Sequence, residues 1–319
     1  MNKLLEYTKR NILVLFLLVL CFSIAIVEPR FLTSGNILNV MIQISINALV
    51  ATSLTFVILT GGIDLSVGSI AAVAGIVGAT LVKNMTTNNV FVYLLIIIVV
   101  SVVVGGICGG VSAFCISKLN VSPFIATLAM LSIARGVAYV VTGSKPVFQL
   151  PEAFSWLGQD KIFGVVPVLT VLMILVLLIS YIVLEKTAYG RHVYAVGSNE
   201  EVARLSGIKV KKIKASVYII SGILAALGGV CLASKLGTGQ PNAATGYELT
   251  AIAAVVMGGT SLKGGSGGIK KTVIGIITIG VLNNGMNLMK VSSYWQTIVM
   301  GAIILLAVIL DQMKVKKQY

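Results

Sequence analysis

The chain has 319 residues, 57% of them hydrophobic and only 11% charged, with a mean hydropathy of +1.01. Soluble domains carry about 25% charged residues, so this balance excludes a water-soluble globular protein. The net charge of +14 comes with no RNA-binding motif and no basic–aromatic platform, which argues against nucleic acid; in a membrane chain basic residues mark cytoplasmic loops.

The apolar stretches are continuous rather than alternating, which predicts membrane helices and not an outer-membrane barrel. The first, after Lys3, Lys9 and Arg10, resembles a signal peptide, but it ends in Val27-Glu28-Pro29 with no A-x-A site and is expected to be retained. A crossing needs about 20 mostly apolar residues. Charges, prolines and glycine turns then divide the chain into ten spans: 11–28, 37–60, 64–82, 90–116, 121–142, 165–184, 214–234, 247–259, 270–289 and 294–311. The eighth is the weakest. It is short and ends in GGTSLKGGSGG, as a half-helix does, and a count of eight or nine spans also fits.

With the N-terminus inside, 17 of the 24 Lys and Arg residues fall on the cytoplasmic side and six outside, with Arg135 within a span. An even span count places both termini in the cytoplasm. The expected fold is therefore an all-α polytopic bundle forming one transmembrane domain over 1–319. Its longest connections, 143–164 outside and 185–213 inside, are too short for an independent core.

Between the second and third spans stands TGGIDLSVGSI, residues 60–70. Asp64 is the only charged residue from Phe31 to Val82. GGIDLSVGS (Gly61–Ser69) returns as GGTSLKGGS (Gly258–Ser266), matching at five of nine positions. The two copies lie six spans apart, hence on the same side. A parallel duplication, a different span count, or convergent helix-break chemistry each accounts for that. Asp64 corresponds to Ser261, and both are good helix N-caps. Three readings of Asp64 stand: a cap on the third span, an acid facing a transport path, and a proton carrier. Gly61, Gly62, Asp64 and Ser66 are candidates for lining a path.

Arg135 lies toward the outer end of the fifth span, where it either snorkels outward or faces a path or partner. The inner loop Lys186–Lys214 contains Ser198-x-x-Glu201, a capping box, followed by Val202 and Leu205 on one face and a stop at Gly207. That predicts a helix of about two turns, too short to stand alone. It rests on lipid headgroups or docks a cytoplasmic partner. Glu200 and Glu201 argue against anionic lipid. Gln240, Asn242 and Glu248 are expected near the outer surface, solvated or facing substrate or a partner. GGSGGIKKT (Gly264–Thr272) resembles a phosphate loop, yet Ile269 stands where the Walker pattern requires glycine before lysine. Asn283, Asn284 and Asn287 in the ninth span bond between helices or line a polar path, with Asn283 and Asn287 on one face.

Cys21, Cys108, Cys115 and Cys231 are scattered through apolar runs without a CxxC pair, so a structural role is expected. His192 is the only histidine, which argues against a His metal cluster or a Ser-His triad.

Taken together, GGIDLSVGSI, PFIATLAMLSIARG (Pro123–Gly136), TAYGRHVYAVGSNEEVARLSGIKV (Thr187–Val210), YELTAIAAVVMGGTSLKGG (Tyr247–Gly265) and GVLNNGMNL (Gly280–Leu288) resemble the ribose-type branch of bacterial sugar ABC-transporter permeases. The likeness runs from about Phe31 to Asp311. It implies a permease working as a pair in the plasma membrane, with an external sugar-binding protein and a cytoplasmic ATPase that holds ATP and Mg; no cofactor belongs to this chain. The resemblance implies that Ser198–Ile208, with Ser198, Asn199, Glu200, Glu201, Ala203, Leu205, Ser206, Gly207 and Ile208, engages that ATPase. It is closest to ribose permeases, while permeases for xylose, galactose and autoinducer-2 share the motifs. Arg135, Gln240, Asn242 and Glu248 are candidates for facing the binding protein. The alternative from another class is an ion-coupled secondary transporter using Asp64. An intramembrane enzyme lacks HExxH or paired acids.

Overall fold

The structure, a computed structural model, describes residues 12–316; the basic residues Lys3, Lys9 and Arg10 lie outside that range. Among the described residues, thirteen α-helices run in chain order: α1 (Ile12–Val27), α2 (Ser34–Leu59), α3 (Val67–Val82), α4 (Val90–Ser117), α5 (Pro123–Thr142), α6 (Glu152–Gln159), α7 (Val168–Lys186), α8 (Ala188–Ser198), α9 (Glu200–Leu205), α10 (Val210–Leu236), α11 (Tyr247–Met257), α12 (Ile269–Leu288) and α13 (Ser293–Lys316). Of these, α2, α4, α5, α7 and α10 are long and apolar enough to cross a membrane. The fold is an all-α polytopic membrane bundle.

Helices α2, α3 and α10 form its centre. In α10, Val217, Ala225, Ala226, Val230 and Cys231 are fully buried, and in α2 the run from Ala48 to Leu59 is buried throughout. Lipid tails are as apolar as leucine, so burial of apolar area does not drive helices together within a bilayer; close backbone packing does. Helix α4 accordingly meets α10 through glycine. A Cβ added at Gly105 would lie 2.3 Å from the Gly222 carbonyl oxygen, and one at Gly222 would lie 2.2 Å from that of Gly105. The outer helices α4, α5 and α7 keep apolar side chains such as Phe91, Val140 and Ile174 exposed around their length, as lipid contact requires.

Three features escape the sequence reading. The 143–164 connection carries α6, pinned to α10 by Ser234, whose hydroxyl donates to Phe154 O at 2.7 Å and accepts from Gly158 N at 2.9 Å. It is followed by a two-residue hairpin, β1 (Lys161–Ile162) and β2 (Val166–Pro167), antiparallel with Ile162 opposite Val166. The inner loop also holds an extra helix, α8.

Helices α3 and α11 are short, with 16 and 11 residues. At about 1.5 Å per residue they rise ~24 and ~16 Å, against a hydrocarbon core of about 30 Å. Each is preceded by non-helical chain, residues 60–66 and 237–246.

Candidate functional site: two broken helices and an inner docking helix

Residues 60–66 leave the end of α2 and climb beside α10. A Cβ at Gly62 would meet the Tyr218 hydroxyl at 2.2 Å, so any larger residue there requires Tyr218 to move. Asp64 follows, 1% exposed. Its Oδ1 accepts from the Ser66 backbone N–H at 3.0 Å and the Ser66 hydroxyl at 2.5 Å, and its Oδ2 accepts from the Ser221 hydroxyl at 2.7 Å. Ser221 stands 11 residues into α10, a rise of ~16 Å from that helix's start. The carboxylate is therefore well inside the bundle.

The cap reading of Asp64 needs a correction. Helix α3 begins at Val67 and its N-cap position is Ser66. Asp64 forms an Asx-type turn one step earlier, and its second oxygen ties that turn to α10. Thr60, Gly61, Gly62, Lys214 and Tyr218 line a cleft of about 40 Å³ just below. The Tyr218 hydroxyl is buried without a hydrogen-bond partner among the described residues.

The second broken helix meets the first. A Cβ at Gly68, in the first turn of α3, would lie 2.3 Å from Glu248 Oε2 and 2.6 Å from Ala244 O. Glu248 stands in the first turn of α11. Both half-helices thus open at one place, with their partly positive ends converging there, and the Glu248 carboxylate accepts from backbone N–H groups at the start of α11. Arg135 on α5 holds the segment before α11, donating from Nη1 to Pro241 O and Ala243 O, both at 2.8 Å. Snorkelling does not describe it. Gln240 bonds Thr238 Oγ1, Asn242 is exposed, and the segment's outer edge pairs Gly239 with Val147. Arg135, Gln240, Asn242 and Glu248 share one neighbourhood, but Glu248 lies against the start of α3, not beside an outer-surface loop.

The three asparagines of α12 lie elsewhere. Asn284 is the buried one, exchanging two side-chain bonds with Asn36 of α2: Asn36 Nδ2 to Asn284 Oδ1 at 3.0 Å and Asn284 Nδ2 to Asn36 Oδ1 at 2.8 Å. Asn287 is exposed and accepts from Gln296 Nε2 at 2.8 Å, and Asn283 is half-buried. None approaches Asp64 through a hydrogen bond. Asn36 was missed because nothing local marks a partner 248 residues away.

On the inner side, the predicted short helix is α9, but its cap is Asn199. Asn199 Oδ1 accepts from the N–H groups of Glu201 and Val202, both at 3.0 Å. Ser198 is the last residue of α8, and its hydroxyl donates back to Tyr194 O at 2.9 Å. The stop falls as expected. Gly207 has φ +82°, its N–H bonds Arg204 O at 3.0 Å and Ile208 N–H bonds Ala203 O at 3.1 Å, a Schellman closure. Ala203 is buried beneath α9, whereas Val202 and Leu205 are 57% and 74% exposed. Glu200 pairs with Lys214 of α10 at 2.5 Å and Glu201 with Arg204 at 2.5 Å. The Glu201 carboxylate holds the Arg204 guanidinium's pKa above its usual value. Tyr194 donates to Glu185 Oε1 at 3.0 Å, and burial with that carboxylate pushes its ionisation up, so it stays a donor at physiological pH.

A family model described as "Branched-chain amino acid transport system / permease component" matches residues 36–308. The chain is 44% identical over 302 residues to the ribose import permease protein RbsC of Escherichia coli (strain K12), covering 93% of this chain and 92% of that one. It belongs to the ribose-type family of ABC-importer permeases. The permease is 45% identical over 300 residues to RbsC of Bacillus subtilis (strain 168), covering 93% and 91%. It is 40% identical over 298 residues to the L-arabinose transport system permease protein AraH of Escherichia coli (strain K12), covering 93% and 89%. No solved structure matches. A permease of this family is a multi-pass bacterial inner-membrane transport subunit and not an enzyme. Its ATP hydrolysis belongs to a separate ATPase, and a sugar-binding protein completes the importer.

Proposed function

We propose that this permease imports ribose, passing it between the openings of α3 and α11 and drawing energy from an ATPase docked on α9. The observation that carries the substrate is the extent of identity to ribose permeases on two sides of bacterial diversity, 44% and 45% over nearly the whole chain. Xylose, galactose and autoinducer-2 are competing cargoes. Ten crossings with both termini cytoplasmic satisfy the distribution of basic residues, the eighth crossing being α11 together with the segment before it. Two copies would pair in the lipid bilayer, each receiving sugar from the binding protein on the face near Gln240 and Asn242.

The path reading rests on chemistry. A pentose carries several hydroxyls, and the positive openings of two helices meet beside the Glu248 carboxylate, which is able to accept from a sugar hydroxyl. Gly61, Gly62, Asp64 and Ser66 shape the lower part, where the Tyr218 hydroxyl faces the cleft. Tyr218→Phe should leave thermal stability unchanged or raised, because an unpaired buried hydroxyl is removed, while lowering uptake about fivefold, one hydrogen bond's worth. Unchanged uptake would take Tyr218 out of the path.

The substrate is tested in proteoliposomes holding permease, ATPase and binding protein, with labelled ribose and a fivefold-to-hundredfold series of unlabelled competitors (an approximate range chosen to span weak and strong sites). Ribose should compete best. Preferential competition by xylose or galactose would reassign the cargo and leave the importer reading intact.

A further inference from the structure

The two copies of the glycine motif touch each other, and α8 is wedged against both. The end of α2, the second motif and the end of α8 meet backbone to backbone. Gly265 N–H donates to Leu59 O at 2.9 Å. A Cβ at Gly197, in the last turn of α8, would lie 1.8 Å from that same Leu59 oxygen and 2.6 Å from Gly265 N. One at Gly264 would lie 2.7 Å from Gly61 N and 2.9 Å from Gly197 O, and one at Gly265 would lie 2.3 Å from Ser198 Oγ. Gly264 and Gly265 have φ of +86° and +70°, so both are bound to glycine by conformation as well as by space. Tyr194 adds a side-chain tie, its hydroxyl reaching Gly267 O at 3.3 Å.

We infer that Gly197 is a positioning residue for energy coupling: it locks α8, and with it α9, to both glycine motifs so that they move as one body. The inference rests on the reading that the ATPase docks on α9. Side chains at such a junction change rotamer and absorb displacement; backbone packed directly on backbone has no such slack. From the junction, one motif leads through Asp64 to α3 and α10, and the other leads through Thr260, which accepts from Gly268 N at 3.3 Å, into α12. A push on α9 is therefore delivered together to the turn before α3 and to the turn between α11 and α12, not to one of them. The duplication of the motif then has a mechanical reading: one input serves two hinges.

The test compares Gly197→Ala with Gly158→Ala in the complete importer in proteoliposomes. Gly158 on α6 is an equally tight contact, its added Cβ lying 2.2 Å from Lys235 N, and it lies off the route from the junction to α3 and α12. Gly197→Ala should retain the ATPase on purification and lower sugar moved per ATP hydrolysed by about tenfold. Gly158→Ala, whatever its yield, should leave that ratio unchanged. An unchanged ratio in Gly197→Ala overturns the proposal. Should that variant fail to fold, the unaltered junction is measured instead with spin labels at exposed His192 and Lys263 and at His192 and Lys118, in a background lacking the four native cysteines. On ATP binding the first distance should hold and the second should change. A change in the first, or no change in either, overturns the inference. Loss of the ATPase from α9 is a separate outcome, read by co-purification when Val202 and Leu205 are altered, and it bears on the docking reading alone.

Discussion

A permease carrying Val202→Lys and Leu205→Lys should insert and fold normally and yet lose sugar uptake by about 100-fold or more, two central apolar contacts being removed at once. Neither side chain is packed in the free protein, at 57% and 74% exposed, so their replacement costs the fold little. The helix beneath is secured independently by the Asn199 cap, by the closure at Gly207 and by buried Ala203. Lysine also suits the last turn of a helix, where the dipole favours a cation. What the exchange destroys is an exposed apolar pair on a two-turn helix, which has no reason to exist unless something covers it. The choice of lysine separates the two occupants of this face. A helix resting on anionic headgroups gains attraction from two new cations and keeps its function. A helix inserted into a protein groove buries two unpaired charges and is expelled. Co-purification of the ATPase with the variant, alongside uptake, reads the difference; full uptake with the ATPase retained would remove α9 from the docking surface.

The second large effect is at Asp64, where alanine and asparagine should part company. Asp64→Ala leaves the Ser66 N–H without its acceptor and cuts the Ser221 bond that ties this turn to α10. Hydrogen bonds to a charged acceptor are worth about 1.5–3 kcal/mol each, so a loss of roughly 3–5 kcal/mol in stability is expected, with uptake abolished. Asp64→Asn keeps an acceptor for Ser66, and Ser221, a hydroxyl, is able to accept from the new amide. It should retain ATP-driven uptake within about threefold, a cost near one neutral hydrogen bond. A proton- or sodium-coupled transporter behaves in the opposite way, since asparagine removes the titrating, ion-binding group. Thermal denaturation in detergent separates stability from transport. Asp64→Asn that folds well but loses all uptake would make the charge itself functional.

Much of this was legible along the chain because membrane helices announce themselves by composition. Helices lie in the ten apolar stretches named from sequence, and GG-x-x-L marked the break before α3 and the turn after α11, whereas the break before α11 carries no such motif. The caps were half legible. Ser198-x-x-Glu201 satisfied the pattern of a capping box, but α8 extends through Ser198, whose hydroxyl is spent on Tyr194 O, and the cap passes to Asn199. Helix α8 itself went unmarked in the sequence reading, although Thr187 caps it, its hydroxyl oxygen accepting from Gly190 N–H at 3.2 Å. What sequence withheld was register between distant helices. Nothing near Asp64 names Ser221 or Tyr218, nothing near Asn284 names Asn36, and the meeting of Gly68 with Glu248 joins segments 180 residues apart in the chain. Within a bilayer any apolar face suits any other, so pairing is set by small-residue contacts and single polar bonds that leave no periodic trace.

The measurement that bears most directly on the whole account is uphill uptake of labelled ribose into proteoliposomes containing the permease alone, then with its ATPase and binding protein added. The account expects no accumulation by the permease alone, with or without a proton or sodium gradient, and accumulation on ATP when the partners are present. Concentration of sugar by the lone permease, driven by an ion gradient, would contradict it.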